Sequence, residues 1–207
     1  SGGGEYLLPD RDDQQQRGER IPSACHHHHG VASGTARRVG GSAFRQTAAS
    51  TAILGTTEVE TNFDQTYSLP ANSLKVGTVV RMSALVFHTL TTGAETHDLL
   101  YKAGSTTIAS VTGLDPADNS FSMMDFELVC RSTGVAGTVV GMGSLSTPAL
   151  RAATSTRYSL MTGTGATSTQ ALDTTIAQVL AIAIDRQAAA TDTDSARLDY
   201  FHLEIIG

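Results

Sequence analysis

The 207-residue sequence predicts an all-β protein: an antiparallel jelly-roll-like β-sandwich over residues 51–207, preceded by an extended irregular N-terminal arm over residues 1–50. Three observations predict it. Downstream of about Thr56, apolar residues recur with a period of two in short runs separated by Gly, Asn, Asp and Pro, the grammar of strands and turns. Threonine, alanine and glycine are plentiful, and no segment carries a convincing crossover helix. Only 16% of residues are charged, with 40% hydrophobic, so the chain is too apolar for wholesale disorder.

Taken in order, "TTEVETNFDQTY" places Val59, Phe63 and Tyr67 on one face and Glu58, Glu60, Asn62 and Asp64 on the other, which predicts a half-buried strand. "SLPANSLKVG" reads as a turn-rich connection. "TVVRMSALVF" is apolar on both faces, as in a strand at the middle of a sandwich. "HDLLYKAG" and "STTIASV" form a hairpin-like pair about Gly104. "SMMDFELVCRS" sends Met124, Phe126, Leu128 and Cys130 inward and Asp125, Glu127 and Arg131 outward. The glycines of "GVAGTVVGMG" signal bulges or close backbone contacts. "TRYSLM" is a short strand. "DTTIAQVLAIAID" puts Ile176, Leu180, Ile182 and Ile184 on one face; its isoleucines, Val179 and paired threonines favour strand over an alanine-rich helix. "ARLDYFHLEII" carries Phe201, Leu203 and Ile205 on one side and Leu198, Tyr200 and Ile206 on the other. Eight or nine such strands suggest a jelly roll, with a barrel as the competitor. No fixed-period repeat points to a propeller or solenoid.

Residues 1–50 follow neither period and are rich in Gly, Pro, Gln and Arg. Half of the twelve arginines lie there: Arg11, Arg17, Arg20, Arg37, Arg38 and Arg45. Alone, such a segment buries too little to offset its ordering entropy, so the choice is between a floppy tail and an arm ordered against a partner. The planar guanidinium forks favour the partner-bound arm, with those six arginines as its contacts. Arm and body also differ in charge. Residues 1–45 hold six basic and five acidic groups (+1) and residues 46–207 eight and fifteen (−7), which sum to the net −6. An acidic body is poorly suited to nucleic acid. No stretch approaches the ~18 consecutive apolar residues of a membrane span. The start lacks the basic-then-apolar pattern of a secretory signal, so a soluble protein made in the cytoplasm is expected. With two cysteines, Cys25 and Cys130, a disulfide framework is not expected, and Cys130 reads as a buried, unreactive thiol.

Chemistry is sparse. "CHHHHG" at 25–30 is the conspicuous stretch, since imidazole and thiolate bind zinc, iron or nickel. Four adjacent histidines cannot all reach one ion from an extended chain, although alternate ones, His26 and His28, would if a three-fold axis completed the site. A polar loop is the plainer reading, so no metal or cofactor is expected. Nucleophile elbow, zinc-protease, Walker A and dinucleotide motifs are absent. His88, His97 and His202 stand singly in strands or at their ends and read as packing or surface groups. Asp115, Asp118, Asp192 and Asp194 read as solvated loop acids. No enzyme is expected.

The order of segments from residue 56 onward resembles a jelly-roll family among the structural proteins of tailed-bacteriophage virions. The likeness lies in "TTEVETNFDQTYSLPANSLKVGTVVRMSALV", "LLYKAGSTTIAS", "FELVCRSTGVAGTVVGMG", "LDTTIAQVLAIAID" and "LDYFHLEII", about three quarters of the chain. It implies a virion component: a head decoration, cement or head-fibre protein on the capsid exterior, or a tail- or fibre-associated protein that recognises the host surface. The partners it implies are the major capsid protein and further copies of the chain. A homotrimer is expected by analogy with the local three-fold positions of head lattices.

Overall fold

The computed structural model describes residues 41–57, 59–90, 96–147, 158–162, 169–186 and 194–207. All regular structure among them is β. The strands are β1 (Gly41–Arg45), β2 (Ile53–Leu54), β3 (Thr61–Asn62), β4 (Tyr67–Leu69), β5 (Val79–Thr89), β6 (His97–Ala103), β7 (Thr106–Leu114), β8 (Ser120–Ser132), β9 (Thr138–Ser146), β10 (Tyr158–Thr162), β11 (Thr169–Ala171), β12 (Gln178–Arg186) and β13 (Ser195–Ile206).

Every pairing is antiparallel. The ladder runs β1-β13-β5-β8-β9-β10-β7-β6-β12-β3, with β2 beside β13, β4 beside β12 and β11 beside β9. It doubles over into a sandwich. One layer is β1-β13-β5-β8-β9, the other β7-β6-β12 with β3 and β4, and β10 joins them by pairing with both β9 and β7. The layers meet where Tyr101 of β6 lies 4.5 Å from Phe126 of β8, ring centre to ring centre. The pairs β5·β13, β6·β12, β7·β10 and β8·β9 are nested like a hairpin of hairpins, the jelly-roll-like arrangement. Within the first layer β5, rather than β13, neighbours β8.

Alternation builds the core. Val80, Met82, Ala84 and Val86 of β5, Met124, Phe126, Leu128 and Cys130 of β8, and Leu180, Ile182 and Ile184 of β12 are all buried. Two glycines are explained by space or backbone. Gly104 turns the two-residue β6–β7 loop at φ 58°, a left-handed conformation that suits glycine. Gly141 faces inward, where a Cβ would come within 2.5 Å of both Ile108 and Phe126.

Several expectations are corrected. Residues 56–67 do not form one strand: only Thr61–Asn62 and Tyr67–Leu69 pair, Phe63 is buried and Val59 is exposed. Ile176 lies ahead of β12 and is exposed, because the strand begins at Gln178. The C-terminal strand is not apolar on both faces along its length. A register shift between Leu198 and Tyr200 inserts one residue, so Leu198 points inward with Phe201 and Leu203 while Tyr200 points out. Residues 41–50, read from the sequence as the end of the arm, carry β1 and a tightly bonded connection. Gln46 N donates to Phe201 O and Ser50 N to Leu198 O, both at 2.8 Å.

Candidate functional site

Two places in the sandwich carry polar chemistry beyond ordinary strand edges. The first is inside. His88 continues the inward phase of β5, and His97 opens β6 in phase with Leu99 and Tyr101. Sandwich packing therefore brings the two rings together, 4.8 Å between centres and tilted by 30°. Both are buried. His88 Nε2 shares a hydrogen bond with Ser122 Oγ (2.9 Å), which continues to Thr147 Oγ1 (2.8 Å). His88 Nδ1 and both nitrogens of His97 are buried without a hydrogen-bond partner. Arg186, at the inward end of β12, is buried too and donates from Nη2 to Ile53 O.

Desolvation is the main reason these rings resist protonation, and the Arg186 charge adds to it. His88 is pushed down to about 3, and His97 is held well below the usual histidine range by burial, by His88 and by Arg186. The same positive guanidinium disfavours a cation beside the pair. Among the described residues no third His, Cys, Asp or Glu joins them in a metal-binding group. This is a neutral, stacked histidine pair in a polar plug between the layers. Its role is in packing.

The second place is outside. The outward residues of the first layer lie in level rows across β13, β5 and β8 and, where it continues, β9. One row is Glu204, Arg81, Glu127 and Met142; the next is His202, Ser83, Asp125 and Ser144. Beyond them come Tyr200, Leu85 and Met123, then Arg197, Phe87 and Phe121. Arg81 Nε donates to Glu127 Oε1 and Ser83 Oγ to Asp125 Oδ1, each at 2.6 Å. Arg197 bonds Asp199 and lies 5.0 Å over the Phe87 ring centre. Met142, Met123, Phe121 and Tyr200 are exposed. A shallow groove of about 420 Å³ crosses the charged rows.

Of the residues singled out from the sequence, Arg11, Arg17, Arg20, Arg37, Arg38, Cys25, His26 and His28 lie outside the described residues. Arg45 ends β1, exposed, opposite His202, whose Nε2 bonds Ser42 Oγ at 3.0 Å. His88 and His97, expected to be isolated, are instead brought together. The signal was present: both fall on the inward phase of their strands. The solvated reading also fails for Asp194, which is fully buried, and for Asp115, whose Oδ1 is buried without a partner. Asp118 accepts from Leu90 N, and Asp192 lies outside the described residues.

No family model matches the chain, and no curated protein matches it. Among solved structures it is similar to the metal-free form of lectin I-B4 from Griffonia simplicifolia. That similarity has a TM-score of 0.31 and 7% identity over 70% of this chain and 79% of the lectin. What the sandwich does must be argued from its own residues.

Proposed function

We propose that the chain is a structural virion protein of a tailed bacteriophage that decorates or cements the capsid. In this reading residues ahead of β1 anchor it to the major capsid protein or to neighbouring subunits, and the sandwich lies outside the shell. Its work is contact, with no catalytic step. The sequence resemblance motivates the reading, and the observation that carries it is the join between leader and body. β1 pairs with β13 through Gly41–Arg45. Gln46 then adds bonds from its backbone N to Phe201 O and from Nε2 to Leu198 O, and Ser50 exchanges two more with Leu198. Tension on the leader would pull that ladder lengthwise, so its hydrogen bonds must fail together rather than one at a time. A tether joined to the body in this way suits an anchored decoration.

The test is removal of residues 1–40, leaving β1 intact, followed by co-sedimentation with phage heads. Bound protein should fall to background while the folded body remains soluble. Undiminished binding would remove the anchoring role, and a label on the tail would move the protein to the host-recognition class.

A further inference from the structure

We infer that the outward face of β13-β5-β8-β9 is a self-complementary surface on which a second copy of this chain docks, forming a two-fold, face-to-face dimer. The argument is register. Arg81 and Glu127, Leu85 and Met123, and Phe87 and Phe121 are cross-strand partners at the same levels of β5 and β8. A two-fold axis parallel to the strands, over the line between β5 and β8, carries each residue onto its partner's column in the opposing sheet. Arg81 of one copy then faces Glu127 of the other, Leu85 faces Met123, and Phe87 faces Phe121. Opposite charge meets opposite charge and apolar meets apolar, twice over, as an isologous interface requires.

The chemistry favours this occupant. The chain carries a net charge of −6, which opposes self-association over most of an acidic surface. On this face, however, Arg81 and Arg197 already meet acids, so a copy encounters a locally balanced patch. Phe121, Met123 and Met142 are 39%, 50% and 64% exposed, an unusual presentation of large apolar side chains on a sheet otherwise dotted with charge. Four strands about 4.8 Å apart and about 27 Å long offer roughly 500 Å² per copy, so the pair buries about 1,000 Å², near the lower bound for a specific interface. A dimer of micromolar strength fits that size, and sheets packed face to face in aligned fashion are a common geometry. This inference stands apart from the virion reading, since it concerns the body alone and is read out without heads.

Sedimentation of the full chain with the single charge reversals Arg81→Glu and Glu127→Arg and with the double exchange tests it. The wild-type chain should sediment as a dimer, twice 21.6 kDa, at roughly 50 µM. Each single reversal places like charges face to face at two symmetric contacts and should weaken association by more than ~10-fold. The double exchange restores opposition within and between copies and should recover the dimer. Thermal melting should be nearly unchanged throughout, because Arg81 and Glu127 are about half exposed. A monomeric or trimeric wild type, insensitivity to the single reversals, or failure of the double exchange to recover association would each overturn the inference.

Discussion

The two outward faces of the sandwich are built from the same kind of strand and end in opposite conditions. On β8 the outward positions Phe121, Met123 and Asp125 are exposed. On β6 and β12 the outward positions Leu100, Lys102, Ala181 and Ala183 are all buried. There the Glu60–Phe63 segment runs along the far side of β12, with Thr61 and Asn62 paired to it and Glu60 reaching back to form an ion pair with Lys102. Small side chains let a neighbouring segment come close; large apolar ones left in water ask for a partner from elsewhere. One face is finished within the chain, and the other is the face on which we place a second copy.

That contrast can be broken directly. Ala183→Asp should cost about 3–5 kcal/mol in urea unfolding, since it places an unpaired carboxylate where nothing polar awaits it. Acid should act next. His88 and His97 are neutral in the fold, with affinities for protons well below the unfolded value near 6.5. Above pH 6.5 they leave stability unchanged. As pH falls below it the unfolded chain binds protons that the folded one refuses, so stability drops by up to about 1.4 kcal/mol per pH unit for each ring. Denaturant midpoints taken from pH 7 to pH 5 should fall, and His97→Phe should flatten the slope. Gly141→Ala follows, at about 1–3 kcal/mol, because its methyl meets Ile108 and Phe126; a melting temperature reads it. Met142→Asp, on the open face, should change stability by no more than about 0.5 kcal/mol, so a large loss there would erase the distinction between the faces.

Legibility in the sequence followed the same division. β8 could be read residue by residue because its inward and outward positions differ in character, and the structure places Met124, Phe126, Leu128 and Cys130 as the alternation predicts. β12 was less plain, since a strand buried on both faces carries little period-two contrast. β13 misled at one point: a bulge shifts the phase at Leu198–Tyr200, and no residue type in "RLDYF" announces the extra position. β3 and β4 are too short to set a pattern against their polar surroundings. The histidine pair was legible as two inward-phase residues but not as neighbours, because which strand faces which is decided by layer packing. The exposed apolar rows were hidden for a related reason: they appear only once β5, β8 and β13 are set side by side.

The placement of β13 bears on how the molecule comes into being. It lies between β1 and β5, so the segments nearest the two ends of the described body meet in the middle of one layer. Until synthesis passes residue 206, β5 has a bare flank and β1 has nothing to join. Nascent chains should therefore wait as loosely collapsed intermediates with open edges, and closure should be slow, governed by the rare meeting of distant segments. Chaperone dependence during expression, and sensitivity to loss of the last few residues out of proportion to the contacts they make, are the expected signs.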